Sequence, residues 1–323
     1  MSDPGLAPAP HVYAVGMRTR FRGITRREGV LVRGGAGWGE FSPFWDYSDE
    51  QCVPWLRSAA EAAHEAWPAP VRDRVPVNCT VPAVGPEQAA AVVAASNGCR
   101  TAKVKVGEPG QPFHADVERV AAVRHALGAT GKVRIDVNGA WSVEEAVDRI
   151  VALARFDLEY VEQPCRSVAE LAAVRRSVDV PIAADESIRR ASDPFRVATQ
   201  GAADIAVLKV APLGGVAACL EIANRIDLPV VVSSALESAV GIAAGLALAA
   251  ALPELPYACG LATGALLERD VVPVPLTVAD GMLAVQRPAP SPVSLSAVAA
   301  DDETTGRWLD RLQRVRGLAG AAV

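Results

Sequence analysis

Histidine, lysine and closely spaced cysteine are what this 323-residue sequence has little of, and each shortage narrows the chemistry. Lys and Arg together number 32, yet only Lys103, Lys105, Lys132 and Lys209 are lysines, so arginine serves wherever a fixed charge is enough. Arginine stays protonated in proteins, whereas a lysine amine can be driven to release its proton. Positions that keep lysine are therefore candidates for a titratable amine, although codon bias accounts for any single one of them. The 4 histidines, His11, His64, His114 and His125, lie away from the ends of the apolar runs, which weighs against histidine acid–base catalysis and a His-rich zinc site. The 6 cysteines, Cys52, Cys79, Cys99, Cys165, Cys219 and Cys259, show no CxxC and no paired short spacing. That argues against zinc and against a disulfide framework, and makes a reducing cytoplasm the expected home. A net charge of −5 offers nothing to a polyanion, so no nucleic-acid partner is expected. The opening MSDPGLAPAP has no basic start or apolar stretch, so no signal peptide is readable. The longest apolar run, Ala239 to Leu252, is too short to span a bilayer and is closed by Pro253; a buried helix is expected there, and no membrane partner.

What is present is texture. Half of the residues are hydrophobic, and the length suits one barrel with a small accessory layer. Short β-like pieces, His11 to Thr19 and Glu28 to Arg33, precede the glycine-rich GGAGWGEF and a helical stretch from Asp49 to Trp67. The glycine cluster does not follow a strand and open a helix as a phosphate loop would, and reads as a turn at the barrel mouth. From residue 76 onward, short apolar runs alternate with alanine-rich helical stretches: VNCTV, AKVKV, VRIDVN, YVEQP, IAADE, IAVLKV, VVVSSA and YACG. Their landmarks Lys105, Asp136, Glu162, Asp185, Lys209 and Ser233 recur at near-even intervals, the rhythm of repeated βα units. The expected fold is α/β: a TIM-type (β/α)7β barrel with a small α+β capping domain built from both chain ends. Its expected division is 1–75 for the N-terminal part of the cap, 76–264 for the barrel and 265–323 for a segment returning to the cap. Residues from Gly264 on read as a turn and hairpin, and Arg307 to Leu318 as an amphipathic helix.

The polar landmarks sit at the C-terminal ends of their runs, where barrels of this kind place their chemistry. Three consecutive strands supply Asp136, Glu162 and Asp185. Converging carboxylates without a cation repel one another, and a hard divalent ion such as Mg²⁺ takes oxygen ligands, so these three are the candidate metal set. Any one of them alone is as well explained by a helix cap or an arginine partner. Residues i and i+2 of a strand share a face, so Lys103 and Lys105 point together from the second barrel strand. Lys209 ends the sixth, across the barrel, and the lysines approach a metal-bound substrate from opposite sides. Structural ion pairs between these lysines and the same acids are the plainer alternative.

KVKV with Lys103 and Lys105, DVNGAW with Asp136, YVEQP with Glu162, AADES with Asp185 and VLKVAPLGG with Lys209 resemble the enolase superfamily, over nearly the whole chain. The KxK and single-lysine arrangement is similar to its muconate lactonizing branch. TRFRGITRREG, GWGEFSPF, SSALES and GLAT further resemble the family, in its actinobacterial form, that dehydrates 2-succinyl-6-hydroxy-2,4-cyclohexadiene-1-carboxylate to o-succinylbenzoate in menaquinone biosynthesis. The resemblance implies a carbon–oxygen lyase acting on a small carboxylate with Mg²⁺, or Mn²⁺, stabilising an ene-diolate. In it Lys105 removes the α-proton and returns it to the departing hydroxide, Lys209 stabilises the anion, and Lys103 contacts the carboxylate. Asn138 supports the site beside Asp136, and Ser233 and Gly260 meet the succinyl side. Arg20 and Arg22 face either the pocket or solvent. The nearest alternative is an N-succinylamino acid racemase or dipeptide epimerase with two proton-carrying lysines. A remoter one is a metal-free Schiff-base aldolase using Lys209. A non-catalytic binding protein leaves three acids and three lysines unexplained.

Overall fold

A computed structural model describes residues 9–320 of the chain. Strands β1 (His11–Phe21), β2 (Ile24–Arg33) and β3 (Trp38–Phe41) form an antiparallel sheet in the order β1-β2-β3. Both β1 and β2 run longer than their apolar residues suggest, because Arg22 (φ 50°) and Gly23 (φ 78°) make a two-residue turn with both positions left-handed, a geometry that matches the twist of a hairpin. The glycine-rich turn between β2 and β3 packs on the end of helix Asp49–His64, where Ala36 and Gly37 donate to the Ala63 carbonyl. It is therefore not at the barrel mouth: Gly39 lies so close to the Ala59 carbonyl that a Cβ there would approach it to 1.9 Å. Sequence pattern alone does not reveal this helix contact. Ser48 starts the helix with a reciprocal cap, its hydroxyl accepting from Gln51 N–H and its own N–H donating to the Gln51 side chain.

After β4 (Arg74–Pro76), seven parallel strands follow: β5 (Cys79–Val81), β6 (Thr101–Lys105), β7 (Lys132–Asp136), β8 (Leu158–Glu162), β9 (Ile182–Ala184), β10 (Ile205–Lys209) and β11 (Val230–Ser233). They are ordered consecutively from β5 to β11. The eighth run, YACG, contributes only single bridges, Val77 with Cys259 and Ser233 with Gly260, and these join the two edges of the sheet. Alternation along each strand sends one set of side chains outward to the helices and the other inward. On β6, Ala102 and Val104 enter the outer core while Lys103 and Lys105 face inward; Tyr160, Ala183, Ile205, Val207 and Val231 fill the barrel interior. The Ala239–Ala251 helix is buried along nearly its whole length, as its composition demands.

The segment after Gly264 is not a hairpin. Its β12 (Met282–Ala284) crosses the molecule to pair antiparallel with β4, and the local turn at Asp280 and Gly281 closes only an Ala279–Met282 bridge. The last helix among the described residues is Asp302–Ala319, whose Trp308, Leu312 and Val315 bury beside Phe41 and Trp55 in a second core that also takes in Leu236, Ala239 and Val240 of the barrel. Among the described residues no helix is long and apolar enough to cross a membrane, and all six cysteines are free and buried.

Candidate active site

A cavity of about 980 Å³ opens at the C-terminal ends of the barrel strands. Strand register sets three charged side chains in one row, Lys105 beside Asp136 and Asp136 beside Glu162; Lys105 and Asp136 line the cavity, whereas Glu162 and Asp185 are buried behind its lining. Asp185 follows directly after β9, and Lys209 ends β10 beside Ser233 of β11. Asp136, Glu162 and Asp185 are fully buried. Each carries cationic partners: Lys103 reaches Glu162 at 2.9 and 3.0 Å and Asp136 at 3.4 Å, Lys105 pairs with Asp136, and Lys209 meets Asp185 at 2.6 Å. With their oxygens drawn to these cations, no group of three His, Cys, Asp or Glu side chains among the described residues stands gathered to hold an ion.

The electrostatics sort the acids. Burial pushes the Glu162 carboxyl up, Asp136 pushes it further, and Lys103 only partly offsets them, leaving it at about 7. Burial acts the same way on Asp136 and Asp185, but Lys105 and Lys103 hold Asp136, and Arg189 and Lys209 hold Asp185, well below the usual carboxylate range. Among the lysines, burial draws Lys105 below its ordinary value with Asp136 opposing. For Lys103 burial also acts downward, but Glu162 and Asp136 outweigh it and raise it.

Asn138 takes the left-handed conformation (φ 50°), accepts from Lys105 at 2.7 Å and donates to Glu186 at 3.1 Å. Ser233 and Gly260 line the cavity side by side, and a Cβ on residue 260 would crowd the Ser233 hydroxyl, so glycine leaves that side chain free to keep its place. Arg20 and Arg22 both line the cavity; Arg22 is tied to Asp46 at 3.4 Å and lies 4.1 Å from the centre of the Phe44 ring. None of the four histidines lines it.

Three contributors escape a reading of the strand ends alone. Phe21, at the tip of β1, lies with its ring centre 5.4 Å from the Lys105 ammonium. Gln163, fully buried, accepts from the N–H groups of Asp185 and Ser187 and donates to Ser187 and the Cys165 carbonyl, bracing the loop that carries Asp185. Arg189 donates to Asp185 at 2.8 Å; its spacing four residues beyond Asp185, where one helical turn brings side chains together, is the signal that would have found it.

Fold and site together define an enolase-type barrel with acids and lysines at its strand ends. Residues 12–63 match the family model described as Enolase N-terminal domain-like, and residues 86–290 that described as Enolase C-terminal domain-like. Muconate lactonizing enzyme from Pseudomonas fluorescens superposes with a TM-score of 0.75 at 22% identity, over 93% of this chain and 97% of that one, a likeness of fold. The o-succinylbenzoate synthase of Thermobifida fusca is 62% identical over 304 residues, covering 94% of this chain and 95% of its own. That of Mycolicibacterium smegmatis is 57% identical over 303 residues, 94% of this chain and 93% of its own. The chain belongs to the enolase superfamily and, within it, to the o-succinylbenzoate synthase family.

Proposed function

We propose that this protein is a carbon–oxygen lyase that removes water from 2-succinyl-6-hydroxy-2,4-cyclohexadiene-1-carboxylate to give o-succinylbenzoate, a step in menaquinone biosynthesis. The observation that carries the reading is 62% identity over 94% of the chain to an o-succinylbenzoate synthase. Lys105 as the free amine takes the proton from the carbon bearing the ring carboxylate, and burial, which lowers its pKa, raises the share of that amine. The electron pair left behind becomes part of the aromatic ring as the C–O bond breaks. Lys105 then gives its proton to the leaving hydroxide, which departs as water. Lys209, on the opposite wall, stabilises the transient negative charge, and Lys103 adds positive potential at the carboxylate. Asn138 orients the Lys105 amine, and Ser233 and Gly260 meet the succinyl side.

Asp136, Glu162 and Asp185 are assigned as ligands of one divalent cation, Mg²⁺ or Mn²⁺. Their donor atoms are all hard oxygens, and the upward push that Asp136 and Asp185 exert on Glu162 is the repulsion that a cation would relieve. When bound, the ion supplies Lewis-acid stabilisation of charge on the substrate carboxylate, as it does across the superfamily in general. The division into 1–75, 76–264 and 265–323, a cytoplasmic location and the absence of nucleic-acid or membrane partners complete the proposal. Steady-state assays on the cyclohexadiene substrate beside N-succinylamino acids test it. Dehydration is expected to exceed racemisation in kcat/KM by a wide margin, and racemisation of equal or greater efficiency would overturn the assignment.

A further inference from the structure

The two oxygens of Asp185 have different partners. Oδ2 accepts from Lys209 Nζ at 2.6 Å, on the cavity side, while Oδ1 accepts from Arg189 Nε at 2.8 Å. The Arg189 side chain is 1% exposed, and its other nitrogens are also engaged: one donates to Glu186 Oε1 at 2.6 Å, the other to the hydroxyl of Tyr47. Tyr47 belongs to the segment between β3 and helix Asp49–His64, in the core formed by the chain ends. Its ring meets Trp55 edge-on at 5.6 Å and carries the Arg190 guanidinium 4.1 Å from its centre.

We propose that Arg189 is a positioning residue for the divalent-cation site: it commits Oδ1 of Asp185, leaves Oδ2 as the oxygen offered to the cation, and through Tyr47 makes cation affinity depend on how the cap sits on the barrel. The proposal rests on the assignment of Asp185 as a ligand. A planar guanidinium held at every nitrogen points its Nε–H in one direction and so fixes which carboxylate oxygen it engages, which a freely rotating ammonium does not. Without it, Asp185 would be free to turn both oxygens to Lys209, and the cation, which in either case competes with that lysine for Oδ2, would also have to reorient the carboxylate. Groups that orient a liganding side chain in this way are typically worth about 10–100-fold in metal affinity.

Mn²⁺ serves as the probe, its free-ion paramagnetic resonance signal being titrated away by the full chain well below the melting temperature. Arg189→Met is expected to weaken Mn²⁺ binding by roughly 10–100-fold, and Arg189→Lys to recover part of the loss. Tyr47→Phe, which removes one hydroxyl and keeps the buried ring, is expected to weaken binding by roughly 2–10-fold, the worth of one hydrogen bond. This variant decides the matter where Arg189→Met does not fold. Lowered melting temperatures with Mn²⁺ affinity unchanged in Tyr47→Phe and in folded Arg189 variants would overturn the proposal. Failure of the wild-type chain to bind Mn²⁺ would instead overturn the ligand assignment on which it rests.

Discussion

Lys105 and Lys209 stand on opposite walls of one cavity with different neighbours, and substitution separates their roles. Lys105 pairs with Asp136 and donates to Asn138 at 2.7 Å beneath Phe21, whereas Lys209 is held by Asp185 at 2.6 Å. Lys105→Arg keeps a positive charge in that place but cannot accept a proton, so kcat is expected to fall by about 10²–10⁴, the usual worth of a general base. Lys209→Arg is expected to be milder for dehydration, for which the proposed mechanism uses that residue only as a charge, and as severe as Lys105→Arg for any racemisation, which needs a second proton carrier. Comparison of kcat for both variants on both reactions checks the split. A Lys105→Arg protein turning over near the wild-type rate would place the base elsewhere. The acids and lysines were legible because barrel strands announce their ends by a polar residue closing an apolar run. The ion pairs that join them are not legible in the sequence, since spacing along the chain does not say which oxygen faces which amine.

At the scale of elements, the seam between cap and barrel carries a buried acid that makes stability depend on pH. Glu237 follows β11 and accepts from the Ala235 N–H at 2.7 Å; burial and the neighbouring Glu40 push its carboxyl from 4.5 to about 7. The folded chain thus keeps a proton that the unfolded chain has released. This contribution to stability is full below about pH 4.5 and is lost as the pH rises through about 7. Glu237→Gln removes the ionisation, so relative to wild type it is expected to gain up to about 3 kcal/mol between roughly pH 5 and 8. Denaturant titrations at the two pH values measure this, and a pH-independent difference would contradict it. The last helix is a second element open to test. Trp308 is buried, donates to Glu28 at 3.0 Å and meets Phe41 edge-on at 6.1 Å, so Trp308→Ala is expected to cost about 3–5 kcal/mol in the same experiment. That helix was readable from its amphipathic pattern, and β6 to β10 from their buried runs. The pairing of β12 with β4 was not, because residues 74–76 and 282–284 meet only through the tertiary fold. The eighth run was legible as well, and Cys259 and Gly260 close the barrel through single bridges to Val77 and Ser233.

For the whole molecule, the barrel supplies the charged row and both chain ends supply its cover, with Arg189 and Tyr47 running from one to the other. Composition pointed only to lysine being kept where an amine can titrate, and Lys103, Lys105 and Lys209 do stand at or near strand ends; that arginine carries ion pairs between cap and barrel, as in Arg190 with Asp46, is a finding of the structure. The family's fold was therefore largely written in the strand-end pattern, while the cap's grip on the barrel emerged only from side-chain geometry. The central claim is that a divalent cation on Asp136, Glu162 and Asp185 is needed for lysine-driven dehydration. Its most direct test is the rate of o-succinylbenzoate formation by exhaustively chelated protein, measured before and after Mg²⁺ is returned. The account predicts no turnover before and recovery after; full turnover by a protein verified to be free of metal would contradict it.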